Sequence, residues 1–427
     1  MKTTLTNCTV IDCTGNPPMK DMTVVIDGEE IAELKVGTHR QVAREGERVL
    51  DLGGAYVLPG LWNVHTHLGA IFPDRKRLMS RESAIDFAIR AGRDAMDALR
   101  AGVTGMRVVG QRHYIDVAWK RAFDAGVFVG PRLFVCGKSI CATGGHGGRV
   151  AVDGSYEMRK AVREQLKHGA DQIKICVSAG HAAMSAGIES MRETQLLLDE
   201  VKAATEVAHQ KGKRVCAHAG GPGIKLVIRG GVDCIEHGYY LDDEAIEMMA
   251  ENGVFYVPTF ASNVDEEFMR ESGMAELESI YRGHANRALE GRVLIAKAEG
   301  MTPEYAQVHR QGFRKALRAG VKIAPGGESN PIGEFSLMEI EHLVRAGMSE
   351  MEALMAATRT SADLCGVVDQ LGTVESGKLA DLIVISADPL ENISNIRKLK
   401  LIMKGGKLVQ TEEMEGLASF WELFLFD

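Results

Sequence analysis

Four histidines and a lysine, far apart in this chain, share one chemical aptitude. The apolar run Leu58-Pro-Gly-Leu-Trp-Asn-Val stops at His65-Thr-His67, and Lys174, His218 and His237 each stand in or at the end of another short apolar run. On a strand alternate side chains share a face, so His65 and His67 point the same way and can serve one metal ion. Imidazole nitrogens suit zinc and other first-row divalent ions, and a catalytic site keeps one position open for water or substrate. Lys174 is the odd member, because an ammonium beside a divalent cation is strongly disfavoured. A neutral amine, however, takes up carbon dioxide to give an anionic carbamate whose two oxygens can bridge two ions. The plainer readings are Lys174 as an ion-pair residue and the histidines as separate core residues.

Such side chains need elements that bring them together. Between residues 57 and 324 the pattern is strand, loop, helix, repeated, with strands expected at 57–64, 102–109, 132–136, 172–176, 214–217, 234–236, 254–258 and 321–324. Helices are expected between them, for example at 80–100, 193–210 and 243–252. Eight parallel strands with intervening helices close a barrel, and the loops at their C-terminal ends build its site. His65, His67, Lys174, His218, His237 and Glu328 then converge on one rim. The stretch 263–318 exceeds the need of one helix and reads as a polar helical excursion or a lid.

Both chain ends differ from this middle. Residues 1–57 and 365–427 hold short alternating runs split by turn signals such as Gly15-Asn-Pro-Pro18 and Asp27-Gly28. Neither end can bury a core alone, so they are expected to pair into one small β domain beside a barrel spanning 58–364.

Composition excludes several classes. At 427 residues, 45% hydrophobic and 25% charged, the chain can bury a large core. Its net charge of -8 with interspersed signs offers no basic block for nucleic acid. No stretch approaches the roughly 20 apolar residues that span a bilayer, and the N-terminus lacks a signal-peptide core, so a cytoplasmic protein is expected. The 8 cysteines form no Cys-x-x-Cys pair and read as buried thiols of a reducing compartment.

Gly60-Leu-Trp-Asn-Val-His-Thr-His67, Thr143-Gly-Gly-His-Gly147, Lys174, Ala217-His-Ala219, Glu236-His-Gly-Tyr-Tyr-Leu-Asp-Asp243 and Leu371-Gly-Thr-Val-Glu-Ser-Gly-Lys-Leu-Ala-Asp-Leu382 together resemble the amidohydrolase superfamily, nearest its prolidase-like and imidazolonepropionase-like metal-dependent hydrolases. The resemblance implies an α/β fold, a distorted TIM (β/α)8 barrel with a small β-sandwich domain built from both chain ends, and assembly into homo-oligomers. It also implies two divalent ions, zinc first among them, or one. His65, His67 and carbamylated Lys174 would hold the first ion, and Lys174, His218 and His237 the second. A bridging hydroxide would attack the amide of a small substrate.

One element departs from the family pattern. Relatives read Gly-Thr-Asp after strand eight, the Asp serving as ligand and proton shuttle, whereas this chain reads Ala324-Pro-Gly-Gly-Glu-Ser-Asn330. Glu328 keeps the carboxylate but reaches farther by one C–C bond, ~1.5 Å. It is expected to replace the shuttle and, with His237, to be catalytic. The alternatives are a mononuclear or rearranged site with Ser329 or Asn330 facing the metal, or a scaffold without catalysis. His146, in the loop after strand three, and Tyr240, with Tyr239 as its alternative, are the residues the resemblance assigns to a substrate carboxylate. Dipeptides or N-acyl amino acids fit that assignment. Ureas, carbamates or lactams are the alternative, because residues 108–112 and 324–330 both depart from the relatives.

Overall fold

The computed structural model describes residues 2–37, 45–69, 82–147, 149–179, 193–262, 303–328 and 330–409. The two chain ends meet, as their alternating patterns require. β1 (Lys2–Val10), β2 (Met19–Asp27), β3 (Glu30–Val36), β4 (Glu47–Asp51) and β5 (Tyr56–Pro59) form one eight-stranded sheet with β15 (Leu382–Ile385), β16 (Leu399–Lys404) and β17 (Lys407–Leu408). β5 is the junction, parallel to β1 and antiparallel to β15. Leu5, Val24, Ile26, Val57, Leu382 and Val384 pack on one side of it as a separate core.

The expected strand at 57–64 is therefore two strands. β5 ends at Pro59, and β6 (Leu61–Thr66) turns away into a second, parallel sheet with β7 (Val103–Val108) and β8 (Arg132–Val135). A third sheet, also parallel, runs β10 (Val150–Val152), β9 (Ile140–Ala142), β11 (Ile173–Cys176), β12 (Val215–Gly220), β13 (Cys234–Tyr239), β14 (Phe255–Val257). Every residue of β6, β7, β11, β12 and β13 is buried. That is the mark of parallel strands covered on both faces.

The eighth expected strand, 321–324, is only a single bridge, Tyr256 to Ile323. The segment still connects the two parallel sheets, since Ala324 N donates to Tyr256 O at 3.0 Å and Val64 N to Pro325 O at 2.9 Å. Its Ala-Pro-Gly-Gly sequence, with one amide missing and two residues lacking side chains, cannot sustain a ladder.

Helices lie between the strands. They are α1 (Ala84–Arg100), α2 (Ile115–Asp124), α3 (Ser155–His168), α4 (Leu198–His209), α5 (Pro222–Arg229), α6 (Asp243–Asn252), α7 (Pro303–Arg318) and α8 (Ile332–Ala346). Ser83 and Asp86 cap α1 reciprocally, so it begins four residues later than the pattern suggested. α4 likewise starts at Leu198 and not at 193. Of the long stretch 263–318, residues 263–302 lie outside the described residues. α7 is no solvated excursion: His309, Phe313 and Ala316 are buried. All 8 cysteines are free, and only Cys365 is not fully buried. Among the described residues no helix is long and apolar enough to cross a membrane.

Candidate active site

The C-terminal ends of the parallel strands bring the expected histidines together. Ring centroids lie 5.6 Å apart for His65 and His67, 4.8 Å for His65 and His237, and 4.5 Å for His218 and His237. One ligand atom from each of His65, His237 and Glu328 falls within 4.8 Å of the other two. Lys174, in β11 beside His218's strand, is 3% exposed, and its Nζ has no hydrogen-bond partner. Its charge bears on His65, His67, His218 and His237 alike, lowering the proton affinity of each. Lys174 thus sits amid the cluster. β12 and β13 run farther than the sequence suggested, so His218 and His237 lie within their strands and not at the ends.

Each ring is aimed by a hydrogen bond on its other nitrogen. His65 Nδ1 donates to Glu236 Oε2 at 2.6 Å, His67 Nδ1 to the Gly110 carbonyl at 2.8 Å, and His237 Nδ1 to Thr259 Oγ1 at 2.7 Å. These tautomers, inferred from the acceptors, leave three Nε2 atoms for the site. His218 is reversed, with Nε2 on the Ala179 carbonyl at 3.3 Å, which leaves Nδ1. Burial pushes His218 and His237 well below the usual imidazole value, and His67, though its edge is 28% exposed, down to about 3. Neutral imidazole is the form that binds metal.

His65 differs. Burial pulls its proton affinity down, but the carboxylates of Glu328, 2.5 Å from Nε2, and Glu236 raise it overall. Burial works against the Glu236 charge too, yet Arg107 and His65 hold that carboxylate well below its ordinary range. The Arg107–Glu236 pair is wholly buried, and the guanidinium also donates to the Val64 carbonyl. Lys174 is held protonated, against its burial, chiefly by the Glu236 field.

Glu328 reaches the histidines through an unusual backbone. Its φ is 58°, its N–H donates to the His65 carbonyl at 2.8 Å, and its carboxylate lies 3.8 Å from His67 Nε2. The preceding glycines permit that approach. A Cβ on Gly326 would stand 2.4 Å from His65 Cβ, so the loop passes flush against the histidine. Asn63 Oδ1 accepts from both the His65 and Gly327 amides at 3.1 Å, tying β6 to this loop. Asn330 is buried, its amide 3.4 Å from the His67 carbonyl, and Ser329 lies outside the described residues.

Of the expected substrate residues, His146 packs on His218 with ring centroids 4.6 Å apart, and its amide is held by Gln195. Tyr239 lies on the histidines, stacked on His237 at 5.1 Å and 6°. Tyr240 follows it with a left-handed backbone, φ 58°. Glu236, Arg107, Asn63, Thr259 and His309 were not foreseen. A signal existed for three of them: Arg107 is a charge inside an apolar strand, Asn63 shares the parity of His65, and Glu236 adjoins His237.

A model of the Amidohydrolase family matches residues 56–409. The chain belongs to this family. It is therefore a hydrolase acting on carbon–nitrogen bonds, as the motifs implied. The amidohydrolase is 30% identical over 388 residues to the ochratoxinase of Aspergillus niger, covering 82% of this chain and 75% of that one. It is 24% identical to an imidazolonepropionase of Acidiphilium cryptum, covering 82% and 83%. Among solved structures, a Xaa-Pro dipeptidase with methionine bound in its active site matches with a TM-score of 0.82 and 31% identity, over 96% of this chain and 100% of that one.

Proposed function

We infer that this amidohydrolase is metal-dependent and cleaves the amide C–N bond of a small substrate, a dipeptide or an N-acyl amino acid. One observation carries the reading: His65, His237 and Glu328 present ligand atoms within 4.8 Å of one another, and the charge of the buried Lys174, whose Nζ has no hydrogen-bond partner, bears on the same histidines. An unpaired buried ammonium among imidazoles is costly unless something else completes the site. The donor set fits divalent cations, zinc foremost. His65, His67 and Glu328 would hold one, and His218 and His237 the other, with the Lys174 carbamate between them. The carbamate forms when the neutral amine bonds to the carbon of CO2 and gives up a proton. The Glu236 and Glu328 charges that now favour ammonium would be met by the cations instead. Such ions, when bound, lower the pKa of water and polarise the scissile carbonyl.

The chain's own residues do the rest. Glu328, deprotonated and facing His65, takes a proton from the nucleophile and returns it to the leaving amine. His146 and Tyr240 receive the substrate's carboxylate at the rim, which suits a relative that is a Xaa-Pro dipeptidase. The two parallel sheets, joined through residues 321–325, close as a (β/α)8 barrel over residues 58–364, and residues 1–57 and 365–427 form a β-sandwich domain beside it. A cytoplasmic homo-oligomer completes the reading.

The test is a turnover screen of dipeptides, N-acyl amino acids, ureas and carbamates with metal quantified in parallel. Glu328→Gln should lower kcat by about 10²–10⁴-fold while retaining metal, since the amide cannot shuttle a proton. Full activity in that variant would remove Glu328 from the chemistry. Turnover of ureas or carbamates alone would move the substrate class to the alternative that the altered loop 324–330 favours.

A further inference from the structure

β13 carries a feature that the histidine cluster alone does not explain. Along β12 and β13 the register runs Ala219 to His237 and then Gly220 to Tyr239, so Gly238 is an extra residue on β13. Such bulges are rare in parallel pairs and re-aim side chains. His237 and Gly238 both take left-handed backbone, with φ 68° and 64°. A histidine held there inside a strand needs neighbours that fix it.

Those neighbours come from two other elements. The His237 carbonyl accepts from His309 Nε2 at 2.9 Å and from the Tyr256 hydroxyl at 3.2 Å, and the two donors lie 3.0 Å apart. The approach of Tyr256 requires Gly238, because a Cβ there would meet the ring at 2.6 Å. His309 is 3% exposed, on α7, and its ring also meets Tyr239 at 5.9 Å and Phe260 at 4.8 Å. The backbone end of His237 is thus gripped by His309 and Tyr256, and its ring end by Thr259.

We propose that His309 is a positioning residue: together with Tyr256 it holds the bulged His237 peptide so that Nε2 points at the metal, making α7 part of the site. This rests on the metal-dependent reading above. In this role His309 acts through the His237 peptide.

The experiment is zinc titration of the metal-stripped full chain against a chromophoric chelator, with thermal unfolding as a check on folding. The wild-type chain comes first. One that takes up no zinc would overturn the metal reading and this proposal with it. Given wild-type uptake, His309→Leu should bind zinc about 10–100-fold more weakly at one site, the usual cost of losing a group that orients a ligand. His309→Gln, whose amide can donate from a similar position, should recover most of that loss. Wild-type zinc affinity in His309→Leu, or equal losses in the Leu and Gln variants, would overturn the proposal. If His309→Leu does not fold, Tyr256→Phe decides: it deletes one donor and nothing else, and unchanged zinc affinity in it would be fatal.

Discussion

Two neighbouring histidines of the cluster, His65 and His237, are held by different physics. His65 is aimed by a charge: Glu236 accepts from its Nδ1 and is itself balanced by Arg107, with that ion pair fully buried. His237 is aimed without any charge, by the Thr259 hydroxyl on the ring and by side-chain donors on a bulged backbone. The contrast teaches that a histidine can be aimed by electrostatics or by backbone geometry. The first couples the site to global stability, because a buried ion pair broken on one side leaves an uncompensated charge. The second should change stability less and place the cost in affinity.

Lys174 is common to both sides, so its removal breaks the comparison altogether. Lys174→Ala should abolish bound metal and turnover together, read by elemental analysis and amide hydrolysis. An active, metal-free variant would end the metal-dependent reading. Glu236→Gln should be next in size: a stability loss of about 3–5 kcal/mol by denaturant unfolding, because Arg107 is left uncompensated. The double variant Arg107→Met/Glu236→Gln should regain much of that stability without regaining metal. Stability that stays lost in the double variant would mean that the pair matters for packing and not for charge.

Thr259→Val probes the neutral side. It keeps shape and deletes the acceptor for His237 Nδ1, so zinc should bind about tenfold more weakly, with a stability change of about 1 kcal/mol. A loss as large as that of Glu236→Gln would erase the distinction between the sides.

The smallest effect on the site itself is expected just outside the cluster, at Glu339 of α8. Its carboxylate accepts from the Phe260 and Ala261 amides at 3.0 and 2.6 Å, and burial pushes its pKa up to about 8. A folded-state pKa above the unfolded value means that the folded chain holds the proton more tightly. That contribution to stability is complete below the ordinary glutamate value and is lost as pH rises through about 8. Glu339→Gln should flatten the fall in melting temperature between pH 5 and 9, and an unchanged profile would assign the slope to another group.

The clustering of His65, His67, Lys174, His218 and His237 was legible because strand parity and strand order alone bring them to one end of parallel strands. The pairing of the chain ends was legible for a similar reason, since neither could bury its apolar face alone. What escaped the sequence was set by tertiary context. The run 57–64 is continuous in hydrophobicity, so nothing local shows that Pro59 ends one sheet and Leu61 begins another. The bulge at Gly238 and the stacking of Tyr239 on His237 have no counterpart in the simple alternation of a strand. His309 was invisible because a histidine in a polar-looking helix has no periodicity to betray it.

β5 is flanked by β1 from the start of the chain and β15 from near its end, and it runs within one residue into the strand that carries His65. The strand that leads into His65 therefore lacks one of its two neighbours until residues 382–385 have been made, so the frame of the site closes only through a pairing of segments far apart in the chain.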